Sequence, residues 1–184
     1  EIGVGTIIEN IGLTNVSIAG TDDVGGFAAD GLGFALSNSY VTGTLSSTTG
    51  NVGGLVGYTD YNDASTISNS HANVSITGGH NVGGLVGTSG TAISRSYATG
   101  SVTGDRSVGG LVGDNEIGTI TQSYASSVVN LTSDEYAGGL VGINFGEISQ
   151  SYATGSVTGT NSSVVGGFVG YTGGTITQSC ATGA

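Results

Sequence analysis

The sequence predicts an all-β fold, a parallel β-solenoid of about six coils with a period of 26–30 residues. Copies or close variants of the hexapeptide VGGLVG occur at 24–29, 52–57, 82–87, 108–113, 137–142 and 165–170. Their first residues are spaced by 28, 30, 26, 29 and 28 positions. Glycine supplies 37 of the 184 residues and proline is absent. The residues that fill surface helices are scarce, so we expect no helix between the strands.

Each repeat unit contains three short segments that we expect to be β-strands. The first reads Ile-[Ser/Thr]-x-Ser, the second resembles SYATGSVTG at 96–104 and 151–159, and the third is VGGLVG. The β-branched and aromatic residues in these segments are those that strands favour. The polar stretches between them vary in length, as loops do. A single domain, 1–184, is then predicted, with an N-terminal partial coil and six units, the last truncated, at 1–23, 24–51, 52–81, 82–107, 108–136, 137–164 and 165–184.

An antiparallel β-sandwich is the competing fold. A sandwich does not explain why identical short strings recur at a nearly constant spacing. In stacked coils each strand pairs with its counterpart about 4.8 Å away, so equivalent strings lie one above another. We therefore favour the solenoid and expect six coils to give a core roughly 30 Å long.

Stacked coils predict ladders of equivalent side chains along the axis. One ladder follows the tyrosine position and comprises Leu13, Tyr40, His71, Tyr97, Tyr124, Tyr152 and Cys180. A second follows the hexapeptide and comprises Phe27, Leu55, Leu85, Leu111, Leu140 and Phe168. A third comprises Ile67, Ile93, Ile120, Ile148 and Ile176. Large apolar side chains in these rows can fill a narrow interior, and the paired glycines permit tight bends. For the first ladder the sequence leaves open whether Tyr or its flanking Ala faces inward.

The charge balance excludes several classes of partner. The chain has 13 acidic residues against 2 basic ones, for a formal net charge of −11. Binding to nucleic acid requires several cations to neutralise phosphates, and Arg95 and Arg106 are the two present. Anionic membrane surfaces are disfavoured for the same reason, and no apolar run is long enough to span a bilayer. We therefore expect neither nucleic-acid binding nor membrane insertion.

The repeats resemble the GLUG motif family, which takes its name from a glycine–leucine–hydrophobic–glycine core. That core reads GLVG at 54–57, 84–87, 110–113 and 139–142, and SYATGSVTG is similar to the segment that accompanies it. The resemblance implies a bacterial or archaeal protein that is extracellular or attached to the cell surface. GLUG repeats occur in adhesin-like and filamentous-haemagglutinin-like proteins and beside the peptidase domains of immunoglobulin-cleaving enzymes. The family supplies no catalytic residues.

We predict that the chain is not an enzyme, because its reactive residues lack the partners that catalysis needs. His71 occupies a tyrosine position and His80 lies in a predicted turn, with no glutamate beside either. Cys180 also replaces a ladder tyrosine, without a nearby histidine or cationic surround in the sequence. The paired carboxylates are interpreted as solvated loop charges, and they are Asp22 with Asp23, Asp60 with Asp63, Asp114 with Glu116, and Asp134 with Glu135.

No cofactor or metal is expected. Calcium is a minor alternative, since Asp60 to Asp63 and Asp114 to Glu116 could offer oxygen ligands, although neither stretch matches an EF-hand or a calcium-binding β-roll. Four Asn-x-[Ser/Thr] sequons are candidate glycosylation sites, at Asn15, Asn73, Asn130 and Asn161. A chain so rich in serine and threonine contains about that many sequons by chance.

These observations predict a non-enzymatic extracellular structural protein, either an adhesin shaft or a filament subunit. No cap is visible and the sequence stops within a unit at SCATGA. Either the chain is a slice of a longer repeat array or its two ends meet those of other copies, and we expect head-to-tail association with itself. Host or matrix ligands are further expected partners. The alternative is a carbohydrate-binding or carbohydrate-active β-helix module whose loop carboxylates gather with Tyr58, Tyr61 and Tyr136. Ice binding through threonine rows ranks last, because those rows are interrupted.

Overall fold

A computed structural model describes residues 1–60, 64–160 and 163–183, and these residues form stacked parallel coils of β-strand without a helix. The predicted β-solenoid of about six turns is confirmed. Every pair of neighbouring strands runs in parallel, and strand order follows coil order in each of four sheets. The chain passes in turn through an isoleucine sheet, a tyrosine sheet and two glycine sheets, and then begins the next coil. No helix in the described part of the chain is long and apolar enough to cross a membrane.

The isoleucine sheet and the tyrosine sheet carry the Ile-[Ser/Thr]-x-Ser and SYATGSVTG segments. The isoleucine sheet contains Ile7–Glu9, Ala35–Ser37, Thr66–Ser68, Ala92–Ser94, Thr119–Thr121, Glu147–Ser149 and Thr175–Thr177. The tyrosine sheet contains Gly12–Gly20, Tyr40–Ser47, His71–Thr77, Tyr97–Gly104, Tyr124–Ala125, Val128–Leu131, Tyr152–Ala153, Val157–Thr158 and Cys180–Ala181.

The hexapeptide does not form the single strand that the sequence suggested. It is split between two sheets by a sharp bend at Gly54 and Leu55, and we call this strand–bend–strand unit the glycine arch. The first glycine sheet contains Val24–Gly25, Val52–Gly53, Asn81–Gly83, Ser107–Gly109, Tyr136–Gly138 and Val164–Gly166. The second glycine sheet contains Ala28–Gly31, Val56–Thr59, Val86–Ser89, Val112–Asn115, Val141–Asn144 and Val169–Thr172.

The glycine arch needs glycine because its two sheets approach to backbone contact. A Cβ atom on Gly53 would overlap the carbonyl oxygen of Val56 and lie 2.7 Å from the nitrogen of Gly87. A Cβ atom on Gly87 would lie 2.8 Å from the nitrogen of Val52, across the same gap. Real Cβ atoms do not approach other atoms this closely, so the two sheets can come into backbone contact only where the residues have no side chain.

The leucine row fills the interior as the sequence suggested. Leu55, Leu85, Leu111 and Leu140 are fully buried, whereas Phe27 and Phe168 at the ends of the row are partly buried against the same core. The isoleucines at 67, 93, 120 and 148 are at most 1% exposed and pack in the same cluster. Because each large side chain lies over its counterpart, the core is one continuous apolar column.

The sequence left open whether tyrosine or its flanking alanine faces the interior, and the structure places the alanine inward. Tyr40 is half-exposed and Tyr152 is 41% exposed, whereas the next residue of each strand, such as Ala98, points inward. Alternation along a strand permits one of the two to face the core. The interior position must be small here, because a Cβ atom on Gly84 of the glycine arch would lie 2.6 Å from the Cβ atom of Ala98.

The ladder was also assigned wrongly at Leu13. The residue that pairs with Tyr40 is Gly12, and Leu13 pairs with Val41 and packs against the core. The register shifts between Leu13 and Val16, where Asn15 has a left-handed φ of 54°. One extra residue in a strand moves the side chains before it to the opposite face, so the alignment of GLTNVSIAG with the later copies fails before the bulge.

A buried serine ladder forms the corner between the isoleucine and tyrosine sheets. The Oγ atom of Ser96 accepts the backbone N–H of Ser70 at 3.2 Å and donates to the carbonyl oxygen of Ser94 at 2.8 Å. The residue before each serine has a left-handed φ of 48° to 50°, as at Asn69 and Arg95. The same pattern recurs at Ser39, Ser70, Ser96, Ser123 and Ser151. The serine side chains thus supply the acceptors that a left-handed corner leaves missing.

Candidate functional site

The most regular surface feature is a stack of five aromatic rings on the outer face of the tyrosine sheet. The members are Tyr40, His71, Tyr97, Tyr124 and Tyr152. Successive ring centroids lie 4.6 to 5.2 Å apart and their planes agree within 8°. Because each ring covers its neighbour, the stack presents edges to solvent and does not offer the open ring faces on which sugars stack. Cys180 continues the row in register with Tyr152.

His71 is held neutral inside this stack. Its ring lies 5.2 Å from that of Tyr40 and 4.6 Å from that of Tyr97. Desolvation by the surrounding chain lowers the pKa of His71, because burial disfavours the charged imidazolium. A neutral ring between two tyrosines has no carboxylate to orient it, so this histidine is a member of the stack and has no geometry for general-base chemistry.

The second glycine sheet carries a polar ladder on its inner face. Asn115 and Asn144 are fully buried, and the Nδ2 atom of Asn115 donates to the Oδ1 atom of Asn144 at 2.7 Å. Asn144 in turn donates to the Oγ1 atom of Thr172 at 3.2 Å. The Oδ1 atom of Asn115 is buried without a hydrogen-bond partner. Asn115, Asn144 and Thr172 pair in register on successive coils, so these hydrogen bonds join one coil to the next and the ladder is structural.

A shallow groove gathers charges that lie far apart in the sequence. It has a volume of about 370 Å³ and is lined by His80, Asp105, Arg106, Ser133, Asp134 and Glu135. The loops that form it stack in register, because Asp105 N–H donates to the carbonyl oxygen of Gly79 at 3.3 Å and Tyr136 N–H donates to that of Arg106 at 3.0 Å. From the sequence, His80 was expected to be a solvated turn residue. The signal that could have linked it to Arg106 and Glu135 is their equivalent place, two residues before the hexapeptide in successive units.

The other paired carboxylates lie apart from this groove. Asp23 is engaged in structure, since its Oδ1 atom accepts both the backbone and the side-chain N–H of Asn51 at 2.8 Å. Asp114 and Glu116 lie at the turn that leaves the second glycine sheet, and the negative charge of Asp60 acts on Glu116. Asp63 and Tyr61 lie outside the described residues.

Asp114 is the most perturbed acid of the described chain. Burial, followed by the charge of Glu116, raises the pKa of Asp114 to about 6, and Arg106 opposes this shift. Burial also raises the pKa of Glu116, with Asp60 as the second cause. The Oδ1 atom of Asp114 is buried and has no hydrogen-bond partner. A buried carboxylate without a hydrogen-bond partner is costly to keep charged, and such groups are often found at binding sites.

The described residues contain no group of three His, Cys, Asp or Glu side chains arranged to hold a metal ion. Within these residues the arrangement of side chains gives no support to the calcium alternative. Its candidate ligand Asp63 lies outside the described residues 1–60, 64–160 and 163–183. Cys180 is a free, exposed thiol. Among the sequons, Asn15 and Asn73 are exposed, Asn130 is half-buried and bonded to Thr158, and Asn161 is not among the described residues.

Hydrogen bonds that the sequence did not predict tie the two glycine sheets together through the buried side chains of Thr88 and Ser107. The Nδ2 atom of Asn81 donates to the Oγ1 atom of Thr88 at 2.9 Å, and Thr88 donates to the Oδ1 atom of Asn51 at 3.0 Å. One coil further, the Oγ atom of Ser107 donates to the carbonyl oxygen of Gly113 at 2.7 Å. In these coils the two strands of the glycine arch are therefore held together by side-chain hydrogen bonds.

Comparison with known proteins agrees with this architecture. The GLUG motif matches residues 48–77, 78–103 and 133–158. The fold is similar to the crystal structure of a "putative immunoglobulin A1 protease from Bacteroides ovatus", with a TM-score of 0.72 and 23% sequence identity. The similarity covers 98% of this chain and 62% of that one. No curated protein sequence matches the chain. The chain is therefore a β-solenoid that carries the GLUG motif in three places along its stacked coils.

Proposed function

We propose that the chain is a non-enzymatic structural segment of an extracellular protein, serving as the shaft of a cell-surface adhesin. The observation that carries this proposal is the parallel register of the four sheets, in which equivalent residues pair from coil to coil, with one shift at the bulge between Leu13 and Val16. A solenoid of this kind is stabilised by neighbour contacts and can be lengthened by adding coils. Such a body separates its two ends at a fixed distance, which is what a shaft has to do.

Location and stiffness are tested separately. Antibodies against the chain should label intact cells of the source organism, and labelling only after lysis would contradict an extracellular location. Small-angle scattering of the purified chain should give a folded particle with a stacked core roughly 30 Å long, as six steps of about 4.8 Å require. A variant in which two coils are duplicated should be longer by about 10 Å at an unchanged cross-section, and growth in cross-section instead would contradict the shaft.

The absence of enzymatic activity is part of the proposal. It is supported by the stacked, neutral His71 and by Cys180, which continues the stack instead of meeting a base. The similar structure is named for a protease, so immunoglobulin A1 is the substrate to test. We expect the heavy chain to remain intact after incubation with purified protein. Cleavage that disappears in a Cys180→Ala or His80→Ala variant would overturn the proposal.

We further propose that the partner of such a shaft is a second copy, joined end to end. Support comes from the rung that contains Val165 and Ile176, which are 43% and 37% exposed, whereas Ala137 and Ile148 one coil earlier are at most 1% exposed. Any further rung of the same kind would cover these side chains. Light scattering should show mass rising with concentration, and a mass fixed at one chain over a wide concentration range would exclude this association.

A carbohydrate-binding role is the second candidate, and one observation favours it. The groove of about 370 Å³ brings one of the predicted carboxylate pairs, Asp134 with Glu135, together with Asp105, Arg106 and His80. Glycan-array binding that is lost in an Asp134→Asn, Glu135→Gln double variant would support it. No release of reducing or unsaturated sugars is expected.

A further inference from the structure

Two carboxylates on one coil lie below Ile143 and Phe145 of the next coil, and Tyr171 lies on the coil after that. Asp114 pairs in register with Ile143, and Ile143 pairs with Tyr171. The residues that follow the first two, Asn115 and Asn144, are fully buried. Because side chains alternate along a strand, Asp114, Ile143 and Tyr171 form a column on the outer face of the second glycine sheet.

The turn beside this column adds a second acid and a second ring. Phe145 N–H donates to the carbonyl oxygen of Asn115 at 2.8 Å, which sets Phe145 one coil above Glu116. The Phe145 ring meets the Tyr171 ring edge to face, with centroids 5.8 Å apart. Tyr136, from the first glycine sheet, meets the same Tyr171 ring at 5.7 Å. We call Asp114, Glu116, Tyr136, Phe145 and Tyr171 the acid–aromatic patch.

The patch is charged at one end, apolar at the other, and unmatched at both. The Oδ1 atom of Asp114 is buried without a hydrogen-bond partner, and within the described chain Asp114 forms no ion pair. Arg106 attracts Asp114 electrostatically but does not pair with it. Phe145 is 53% exposed although its ring contacts another aromatic side chain. Unpaired buried charge and exposed apolar surface are both costly, and a single occupant would relieve both.

We propose that the acid–aromatic patch binds the side chain of a lysine on a partner protein. The ammonium group lies against Asp114 and Glu116, and the four-carbon stem runs along the axis over Phe145 and Tyr171. The charges are complementary, and aromatic rings attract both the cation and its methylene groups. The net charge of −11 favours approach of a basic segment over distances up to the Debye length.

The test is a titration of the 1–184 chain with Nα-acetyl-lysine methylamide, followed by amide chemical shifts in NMR spectra. The matched ligand is Nα-acetyl-norleucine methylamide, which keeps the stem and lacks the charge. We expect saturable binding of the lysine ligand in the millimolar range, with the shifts centred on Asp114, Phe145 and Tyr171. The norleucine ligand should bind at least fivefold more weakly.

Variants assign the binding to the patch. Asp114→Asn should weaken the lysine ligand at least fivefold, and Phe145→Ala should weaken it about threefold. Asp134→Asn removes the same charge from an exposed loop outside the patch and should leave the affinity unchanged. Arg106→Gln should strengthen binding, because it removes the cation that competes for Asp114.

Three results would overturn the proposal. The first is equal affinity for the two ligands, which would reduce the site to an apolar contact. The second is an equal loss in Asp114→Asn and Asp134→Asn, which would reduce it to general attraction by a negative chain. The third is unchanged affinity in Phe145→Ala, whose exposed ring can be removed without disturbing the fold.

Discussion

The serine ladder makes a quantitative prediction for Ser96→Ala. Ser96 is 1% exposed, and its Oγ atom accepts the N–H of Ser70 at 3.2 Å. Removing the Oγ atom leaves that N–H buried, because Ser70 is itself 1% exposed and has no second acceptor among the described residues. The carbonyl oxygen of Ser94 loses a donor as well but still accepts Asn69 N–H at 3.1 Å. One unsatisfied donor therefore dominates the cost.

The expected loss in the free energy of unfolding is about 2 kcal/mol, within the 1–3 kcal/mol that an unsatisfied buried donor costs. Urea unfolding followed by circular dichroism measures it. The control is Ser101→Ala, since the Oγ atom of Ser101 only shares a bond with Ser75 on the outer face, at 2.9 Å, and its loss should cost less than about 0.5 kcal/mol.

Hydrogen exchange gives the same test at a single atom. The amide of Ser70 should exchange markedly faster in Ser96→Ala, while amides two coils away keep their protection because contacts are between neighbouring coils. If Ser96→Ala costs no more than Ser101→Ala, or if the Ser70 amide stays protected, the serine hydroxyl is not the acceptor that holds the corner.

Three further variants test other parts of the fold. Gly84→Ala should cost several kcal/mol of stability or prevent folding, because its Cβ atom would overlap the carbonyl oxygen of Gly110. Gly167→Ala should cost less than about 1 kcal/mol, because the nearest atom would lie 3.6 Å from its Cβ atom. Denaturant midpoints of the two variants compare these losses, and equal losses would contradict the argument that the backbones are too close for a side chain at Gly84. Asp114→Asn should raise stability at pH 7.5 by roughly 1–2 kcal/mol after allowance for solvent screening. Burial raises the pKa of Asp114 from the ordinary value of 3.8 to about 6, so the native chain loses stability as pH rises between these two values. The gain of the variant should therefore shrink as pH falls below about 6 and vanish below about 3.8, and a gain independent of pH would refute this. Because the pKa of His71 is lowered in the folded chain, stability should fall as pH falls below about 6.5, where the unfolded histidine takes up a proton and the stacked ring does not. His71→Tyr should remove this part of the pH dependence. Unfolding curves at pH 5 and pH 8 measure it, and an unchanged pH dependence would count against the stacked neutral ring.

Repetition made the coil and its register predictable. Residues 71–77 pair one for one with residues 97–103 of SYATGSVTG, because equivalent segments of successive coils lie side by side in a parallel stack. The alignment failed at Leu13, where a bulge adds one residue and nothing in the composition announces it. The hexapeptide was expected to be a single strand because valine has a high β-strand propensity. Its glycines instead form a bend and let the two glycine sheets come into backbone contact.

The candidate sites were less predictable than the fold. Asp134 and Glu135 were noted as a pair, but His80 joins them only because three loops of different sequence stack at one corner. The acid–aromatic patch combines Asp114 with Phe145, which lie 31 positions apart and belong to different motifs. Contacts of this kind depend on which face each side chain takes, and a linear pattern of variable loops does not determine that.

The hydrogen bonds that join the coils lie along the rod axis, and this has a mechanical consequence. Tension applied between the ends loads those bonds in series, so the terminal coil peels away while its neighbours remain folded. Each released coil of about 28 residues adds roughly 90 Å of extended chain. A tether built this way lengthens in discrete steps at a nearly constant force, and it shields whatever it holds from sudden pulls.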